Sequence, residues 1–547
     1  MYSVSIKSTE SWGQSGNGLL SITNTSAKPI PAWTFKVALK NAVITACWDV
    51  DFLASGSTYT FKGKDWNKDL APGQTLTSGF AYNGTATFTA STTDVNVKLV
   101  KATPVVPPTP TPAPKPVVPT PVPQPTPVPP TPQPTPSPVV PVTPSTSPLK
   151  KKVITYFCEW DLYQRAFQVA DIPGDKLTHV MYAFSLPNPS QADVDILKAN
   201  YPFPPLPYTA PPALAEASLA IHDAYAWSVQ VPQFAQLKAK YPHLKIGLSV
   251  GGWTLSWTMS KVMADPVLRK TFITTSVDCI VKNGFDTFDL DWEYPGIQGQ
   301  SYNIVDKVND AKNLVTFLKE LRVEINKRSP SKYIEISIAA GANPAVLEQY
   351  KELGPLLDSI NLMTYDFYGS WGDCGHLSAL YPNPQQGAGA INGFDCDSAV
   401  KHTLKYFKPE QICLGIPMYS RGWAKAQAQP NQPIIFGKSI GGPGVTRSEN
   451  KGGEPGLTCI KDLYPLIKSK EYTEYFDEVA RVPYCVKEST GEVWSYDNVQ
   501  SVTEKVKYVC DNNLGGVMTW QLSDDVRNNG EGSLLNAIVG GLKTYAK

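Results

Sequence analysis

Between Gly284 and Gly296 the chain reads GFDTFDLDWEYPG, and its acids are spaced for chemistry. Side chains alternate along a strand, so Asp289, Asp291 and Glu293 project to one face. Three carboxyl groups stacked in a confined interior repel one another, and ionising all three is costly. At least one proton is therefore shared or held at neutral pH. A carboxylic acid kept protonated near neutrality is the donor that cleavage of a glycosidic bond needs at the leaving oxygen. Two other readings are a solvated surface strand and a set of ligands for a hard cation. The interleaved Phe285, Phe288, Leu290 and Trp292 argue against the first; the second stays open at this point.

The elements that must position these acids are legible on either side. Val153–Phe157, His179–Phe184, Lys245–Gly251, Ile334–Ala339, Ser359–Tyr365, Ile412–Pro417 and Gly516–Trp520 are apolar runs separated by helix-like stretches. That is the pattern of βα units. With the acid strand they make eight, which over residues 149–547 favours a closed (β/α)8 barrel, a TIM barrel, over an open sheet. The shared face of Asp289, Asp291 and Glu293 is then the interior, with Glu293 nearest the C-terminal mouth. Between Trp423 and Ser495 the simple alternation breaks down, and an α+β insertion is expected over 423–495.

From Thr103 to Pro148 nearly every second residue is proline. That density removes backbone donors and fixes φ, which rules out helix and sheet. At about 3.1 Å per residue in polyproline II, the segment is a semi-rigid spacer on the order of 140 Å long; a ligand for a proline-recognising module is the rival reading. Before it, residues 1–102 alternate polar and apolar, with turn signals at Ser15-Gly16-Asn17-Gly18, Ala54-Ser55-Gly56, Ala71-Pro72-Gly73 and Asn83-Gly84. Short strands at that spacing predict an all-β sandwich module. The organisation expected is a module (1–102), a linker (103–148) and a barrel domain (149–547).

Bulk properties narrow the partners. A net charge of +1 over 547 residues is not the basic footprint that nucleic acids require. No apolar run approaches the length of a bilayer span, so neither a membrane nor a nucleic acid is expected as partner. The nine cysteines are scattered, without C-x-x-C metal spacing; Cys374 with Cys396 and Cys459 with Cys485 are candidate disulfides.

FDTFDLDWEYPG resembles the D-x-x-D-x-D-x-E signature of family 18 glycoside hydrolases, with Asp286, Asp289, Asp291 and Glu293 at its four acidic positions. Other motifs follow in order. Ser249-Val250-Gly251-Gly252-Trp253 is similar to the family's S-x-G-G, Met363-Thr364-Tyr365-Asp366 to its M-x-Y-D, and Gly415–Arg421 and Met518-Thr519-Trp520 to its last two strand ends. The resemblance implies a retaining chitinase that cleaves β-1,4 bonds between N-acetylglucosamine units with help from the substrate's own acetamido group, through an oxazolinium intermediate. It implies Glu293 as acid and then base, Asp291 on the acetamido group, Asp289 modulating Asp291, and Tyr365 on the acetamido oxygen. It also implies sugar contacts from Asp366, Tyr419, Arg421, Trp253, Met363 and Trp520, with Asp286 supporting from farther off, and neither metal nor cofactor.

Residues 1–101 resemble a family 2 carbohydrate-binding module, with Trp33 inside and Trp12, Trp48 and Trp66 forming a flat surface strip for an insoluble polysaccharide. The resemblance leaves three functions: a chitin-degrading enzyme, a lectin on an inactive barrel, and an endo-N-acetylglucosaminidase acting on protein-linked glycans. The presence of Glu293 speaks against the second, and the insertion and the module against the third. The protein expected is an extracellular monomer acting on chitin or chito-oligosaccharides. Met1-Tyr2-Ser3-Val4 is not a signal peptide, so export by a removed leader or by lysis is expected.

Overall fold

In the computed structural model, residues 2–12, 15–47, 50–55, 57–63, 69–92, 97–99, 149–163, 165–200, 214–439, 454–527 and 530–546 are described. Contacts divide the chain into Met1–Thr143 and Pro144–Lys547. The predicted linker 103–148 lies outside the described residues.

In the second unit the apolar runs become parallel strands: β1 (Lys152–Cys158), β2 (His179–Pro187), β3 (Lys245–Gly251), β4 (Thr287–Asp291), β5 (Glu335–Gly341), β6 (Ser359–Met363), β7 (Ile412–Pro417) and β8 (Gly516–Trp520). They pair in chain order, and β8 closes on β1, so these eight form a closed barrel, while a short strand, Leu219–Ile221, pairs antiparallel to the end of β2. Alternation sorts each strand. In β4, Phe288 and Leu290, with Trp292 just beyond, join the core between barrel and helices. Inside, Ile154, Tyr156, Cys158, Met181, Ala339, Cys413 and Met518 form a separate cluster.

The approach to β4 shows local sequence at work. Helix α1 (Pro266–Asn283) starts on Asp265, whose carboxylate accepts from the amides of Val267 and Leu268, with proline at its first position. It stops at Gly284, whose φ of +71° is the left-handed conformation of a helix C-cap. Three residues later the acid strand begins.

Between β7 and β8 stands a five-stranded antiparallel sheet, in the order Leu457–Cys459, Tyr419–Trp423, Glu492–Ser495, Val482–Lys487, Thr473–Asp477. The strand Tyr419–Trp423 carries both Tyr419 and Arg421.

The described residues of the first unit form seven strands in one ladder. Its longest strands, Thr34–Cys47 and Thr75–Thr92, shift register at Lys40/Ala42 and Ile44/Ala46. Such bulges bend a sheet, and strands from both its ends contribute to one core, with Val4, Leu20, Phe35, Tyr59, Phe61 and Trp33 buried. Two of the four turn signals are wrong. Ser15–Gly18 and Asn83-Gly84 lie within strands, and Gly16 and Gly18 pair in the ladder. Glycine weakens a strand without breaking it, so flanking pairs override the local signal. Trp48 and Trp66 lie outside the described residues, as does the side chain of Trp12.

The cysteine expectation is overturned, since all nine are thiols. Cys396 donates to the carbonyl of Thr364, Cys459 to Asp524 Oδ1 at 3.1 Å, and Cys485 hydrogen-bonds Tyr496. No helix among the described residues is long and apolar enough to cross a membrane.

Candidate active site

Ser249, Asp289 and Ser337 occupy the same level of β3, β4 and β5, paired directly across the ladder. Being in register, both serines donate to Asp289, at 2.7 Å to Oδ2 and 2.6 Å to Oδ1. Tyr156 of β1 donates to Oδ2 at 2.8 Å, and Asn361 of β6 reaches Oδ1 at 3.4 Å. Asp289 is wholly buried, and burial pushes its pKa up while these donors pull it back. With hydroxyl and amide donors on both oxygens, few lone pairs remain for a hard cation, which removes the metal reading of this acid.

Asp291, next toward the mouth, has no such support. Its Oδ1 is buried and has no hydrogen-bond partner. Burial first, then the charges of Glu293 and Asp289, push its pKa well above the carboxylate range. Glu293 follows with its pKa raised to about 7, chiefly by burial and also by Asp366, against a lowering hydrogen bond with Tyr294. A proton donor poised near neutrality and an orphaned acceptor thus stand two residues apart on one face.

The ends of other strands complete the cleft. Tyr365 lies past β6, its hydroxyl 3.7 Å from Met518 Sδ and its ring 6.1 Å from Tyr419. Met363 packs against the inner cluster. Asp366 has φ +56°, a left-handed conformation uncommon outside glycine, and is gripped by the Arg421 guanidinium through two bonds, at 2.8 and 3.1 Å. The same guanidinium bonds Glu454 at 2.5 Å and lies 4.8 Å over the Trp371 ring. Trp520 is half-buried, stacked on Phe184 at 5.6 Å and 5.4 Å from Tyr156. Trp253 is 45% exposed and edge-on to Tyr294 at 6.4 Å, a free aromatic face beside the Glu293 segment.

Asp286, expected to support from farther off, stands away from the cleft. Asp286 precedes β4 at the opposite end of the barrel, where Lys238 and Lys332 pair with it at 2.6 and 2.7 Å. At about 3.3 Å per residue it lies roughly 20 Å from Glu293 along the strand, so it anchors the barrel floor at a distance from the acids of the mouth. Other residues went unseen in the sequence. Ser337, Asn361 and Tyr156 as partners of Asp289, with Phe184 and Trp160 around Trp520, follow only from closure of the barrel. For Tyr156 the inward alternation Ile154-Tyr156-Cys158 was an available signal. Trp371 and Glu454 come from loops without a pattern.

The raised carboxyl of Glu293 has a stability consequence. An unfolded glutamate titrates near its usual 4.5, whereas the folded one titrates near 7. Folding therefore takes up a proton between those values, and the penalty for burying the charge is absent below pH 4.5 and complete above 7. Glu293→Gln removes that penalty. The variant should match the parent in stability near pH 4 and exceed it by up to about 3 kcal/mol at pH 8. Calorimetric Tm values across that range check it, and equal pH dependence in both proteins would refute it.

Comparison with known proteins fits this geometry. Residues 152–525 match the family described as Glycosyl hydrolases family 18, and residues 2–99 match Cellulose binding domain. A chitinase of Autographa californica nuclear polyhedrosis virus is 32% identical over 413 residues, covering 71% of this chain and 72% of the viral protein. Among solved structures, chitinase ChiA74 from Bacillus thuringiensis aligns at TM-score 0.62 and 31% identity, over 73% of this chain and 70% of its own. The Ostrinia furnacalis Group IV chitinase in complex with allosamidin aligns at TM-score 0.61 and 27% identity, over 73% and 100%.

Proposed function

The chain belongs to the family 18 glycosyl hydrolases, and from that premise we propose that its barrel is a chitinase site in which Glu293, Asp291, Asp289 and Tyr365 carry the reaction. The reaction is hydrolysis of β-1,4 bonds between N-acetylglucosamine units, with retention and substrate assistance. One observation supports the residue roles above the others: a carboxyl titrating near 7 at the mouth, two residues from a buried carboxyl oxygen that lacks a donor.

The chemistry follows from those two groups. Glu293 gives its proton to the glycosidic oxygen as the bond to the anomeric carbon breaks. The substrate's acetamido oxygen closes on that carbon, forming the oxazolinium ion. The acetamido nitrogen turns cationic and its N–H meets Asp291, whose orphaned oxygen gains a donor and whose ionised form the new charge favours. Asp289, next inward on the strand, takes up the proton Asp291 releases as one of its hydroxyl donors turns away, and hands it back when water opens the ring and the nitrogen loses its charge. Tyr365 donates to the acetamido oxygen and aims it. Glu293, now a carboxylate, removes a proton from water as it opens the ring from the same face, which restores the starting state. Trp520 floors the sugar, with Met363 beside it, and Asp366, Tyr419 and Arg421 hold it; Trp253 takes the ring on the leaving-group side.

The N-terminal module binds polysaccharide, and Trp12, Trp48 and Trp66 are its contact strip. The protein works outside the cell as a monomer on insoluble chitin. The experiment is release of soluble N-acetylglucosamine oligomers from colloidal chitin by the full chain and by a chain lacking residues 1–148. The barrel carries its own core, so the shortened chain should cleave a short soluble substrate within about twofold of the full rate. On colloidal chitin it should fall several-fold, because tethering raises concentration at the surface. No soluble sugar from the full chain would overturn the chitinase reading, and equal loss on both substrates would overturn the role of the module.

A further inference from the structure

The ladder that holds β4 stops short of Glu293. Its last pairs are Leu290 with Ile338 and Asp291 with Gly251, so the backbone of Glu293 lies beyond the sheet. Two side chains take over. The Glu293 amide donates to Ser256 Oγ at 3.0 Å, and its carbonyl accepts from Asn303 Nδ2 at 2.8 Å. Ser256 is fully buried, and its hydroxyl also lies 2.8 Å from the Gly252 carbonyl and 3.1 Å from that of Asp291. One oxygen thereby ties the chain on both sides of Trp292 to the turn after β3. Asn303 is 8% exposed and its backbone is held in turn, the main-chain carbonyl accepting from Gln298 Nε2 at 3.1 Å and the main-chain N–H donating to the carbonyl of Gln300 at 3.0 Å. The loop presses close, since a Cβ on Gly299 would stand 2.2 Å from the Glu293 carbonyl oxygen.

We infer that Ser256 and Asn303 are positioning residues that fix the Glu293 carboxyl against the glycosidic oxygen by clamping its backbone from both sides. The inference rests on Glu293 being the general acid. Both side chains are neutral, and their bonds run to main chain rather than toward the cleft. Their leverage is geometric: a carboxyl at the end of a glutamate side chain swings when its backbone turns, and a displacement of about 1 Å can cost on the order of 100-fold in rate. Asp291 keeps its ladder pair with Gly251 when the clamp is loosened and Glu293 has none, so the spacing between the acid and the acetamido-binding group changes.

The test uses the full chain with Ser256→Ala and Asn303→Ala, each checked for an intact fold by circular dichroism. Two substrates with the same sugars are compared: a chito-oligosaccharide, whose leaving alcohol needs a proton, and a 2,4-dinitrophenyl chitobioside, whose phenolate leaves without one. kcat/KM, which reports steps through bond cleavage, should fall roughly 10- to 100-fold on the oligosaccharide. It should fall no more than about threefold on the activated glycoside, and oligosaccharide binding to the variants should stay within about twofold. Equal losses on the two substrates, or no loss on either, would overturn the inference. Glu293→Gln, run in parallel on the oligosaccharide, separates the layers. If that variant keeps its rate, the general-acid reading itself fails; if it is inactive while Ser256→Ala and Asn303→Ala lose both substrates equally, only the clamp fails.

Discussion

Glu293→Gln should abolish turnover of chito-oligosaccharides while leaving their binding intact. The amide has the same shape and fills the same buried position, so the cleft keeps its form. It has no acidic proton to give, and no carboxylate to take one from water afterwards. General acid catalysis alone is worth roughly 10²–10⁴-fold, and here a single residue serves both steps, so kcat should fall at least ~10³-fold. Isothermal titration with a chito-oligosaccharide should give an affinity within a few-fold of the parent. The parent's pH profile belongs to the same prediction. Its proton donor titrates near 7, so kcat/KM should decline as pH rises through that value and the acid is lost. A variant retaining more than a tenth of the parental rate would show that another group protonates the leaving oxygen.

The second large effect concerns the nucleophile. In the substrate-assisted route the anomeric carbon is attacked by the acetamido oxygen, and Asp291 and Tyr365 serve that group alone. Holding an internal nucleophile in place removes several kcal/mol of barrier. Asp291→Asn keeps a hydrogen-bonding group but loses the negative charge that answers the cationic nitrogen. Tyr365→Phe removes the hydroxyl that directs the oxygen. Both should lower kcat by about 10²-fold or more. Cello-oligosaccharides, which carry hydroxyls where chitin carries acetamido groups, should not be cleaved at a measurable rate. Products from chitin should appear first as β-anomers by NMR. Efficient cleavage of cello-oligosaccharides, or α-anomers appearing first, would replace the acetamido group with a protein or water nucleophile.

The two kinds of information in this chain differ in range. Strand alternation has a period of two residues and needs no partner to be read, which is why the inward set Asp289, Asp291 and Glu293 was legible and the outward set Phe288, Leu290 and Trp292 lies in the outer core. Apolar runs and breaks placed eight strands in order, because each βα unit must bury its own strand and helix. Local signals failed where neighbours outvoted them. Asn83-Gly84 reads as a turn and is a strand, since the ladders on both sides of it supply more than two residues can withhold.

What tertiary structure decided is whatever depends on distant segments meeting. Asp286 and Asp289 look alike three residues apart, but closure sets one between two lysines at the floor and the other among four donors inside. Burial and nearby charge together raise Glu293 to about 7, and neither is a property of a residue type. Cys396 meets the Thr364 carbonyl and Cys459 meets Asp524, so neither stands as a disulfide partner. Ser256 and Asn303 carry no signature at all, and matter only because a strand ends two residues too soon. The sequence by itself determined which side chains face inward and in what order; the closed barrel decided which are charged, which are held and by what, because desolvation and hydrogen-bond partners arise only when segments remote along the chain are packed together.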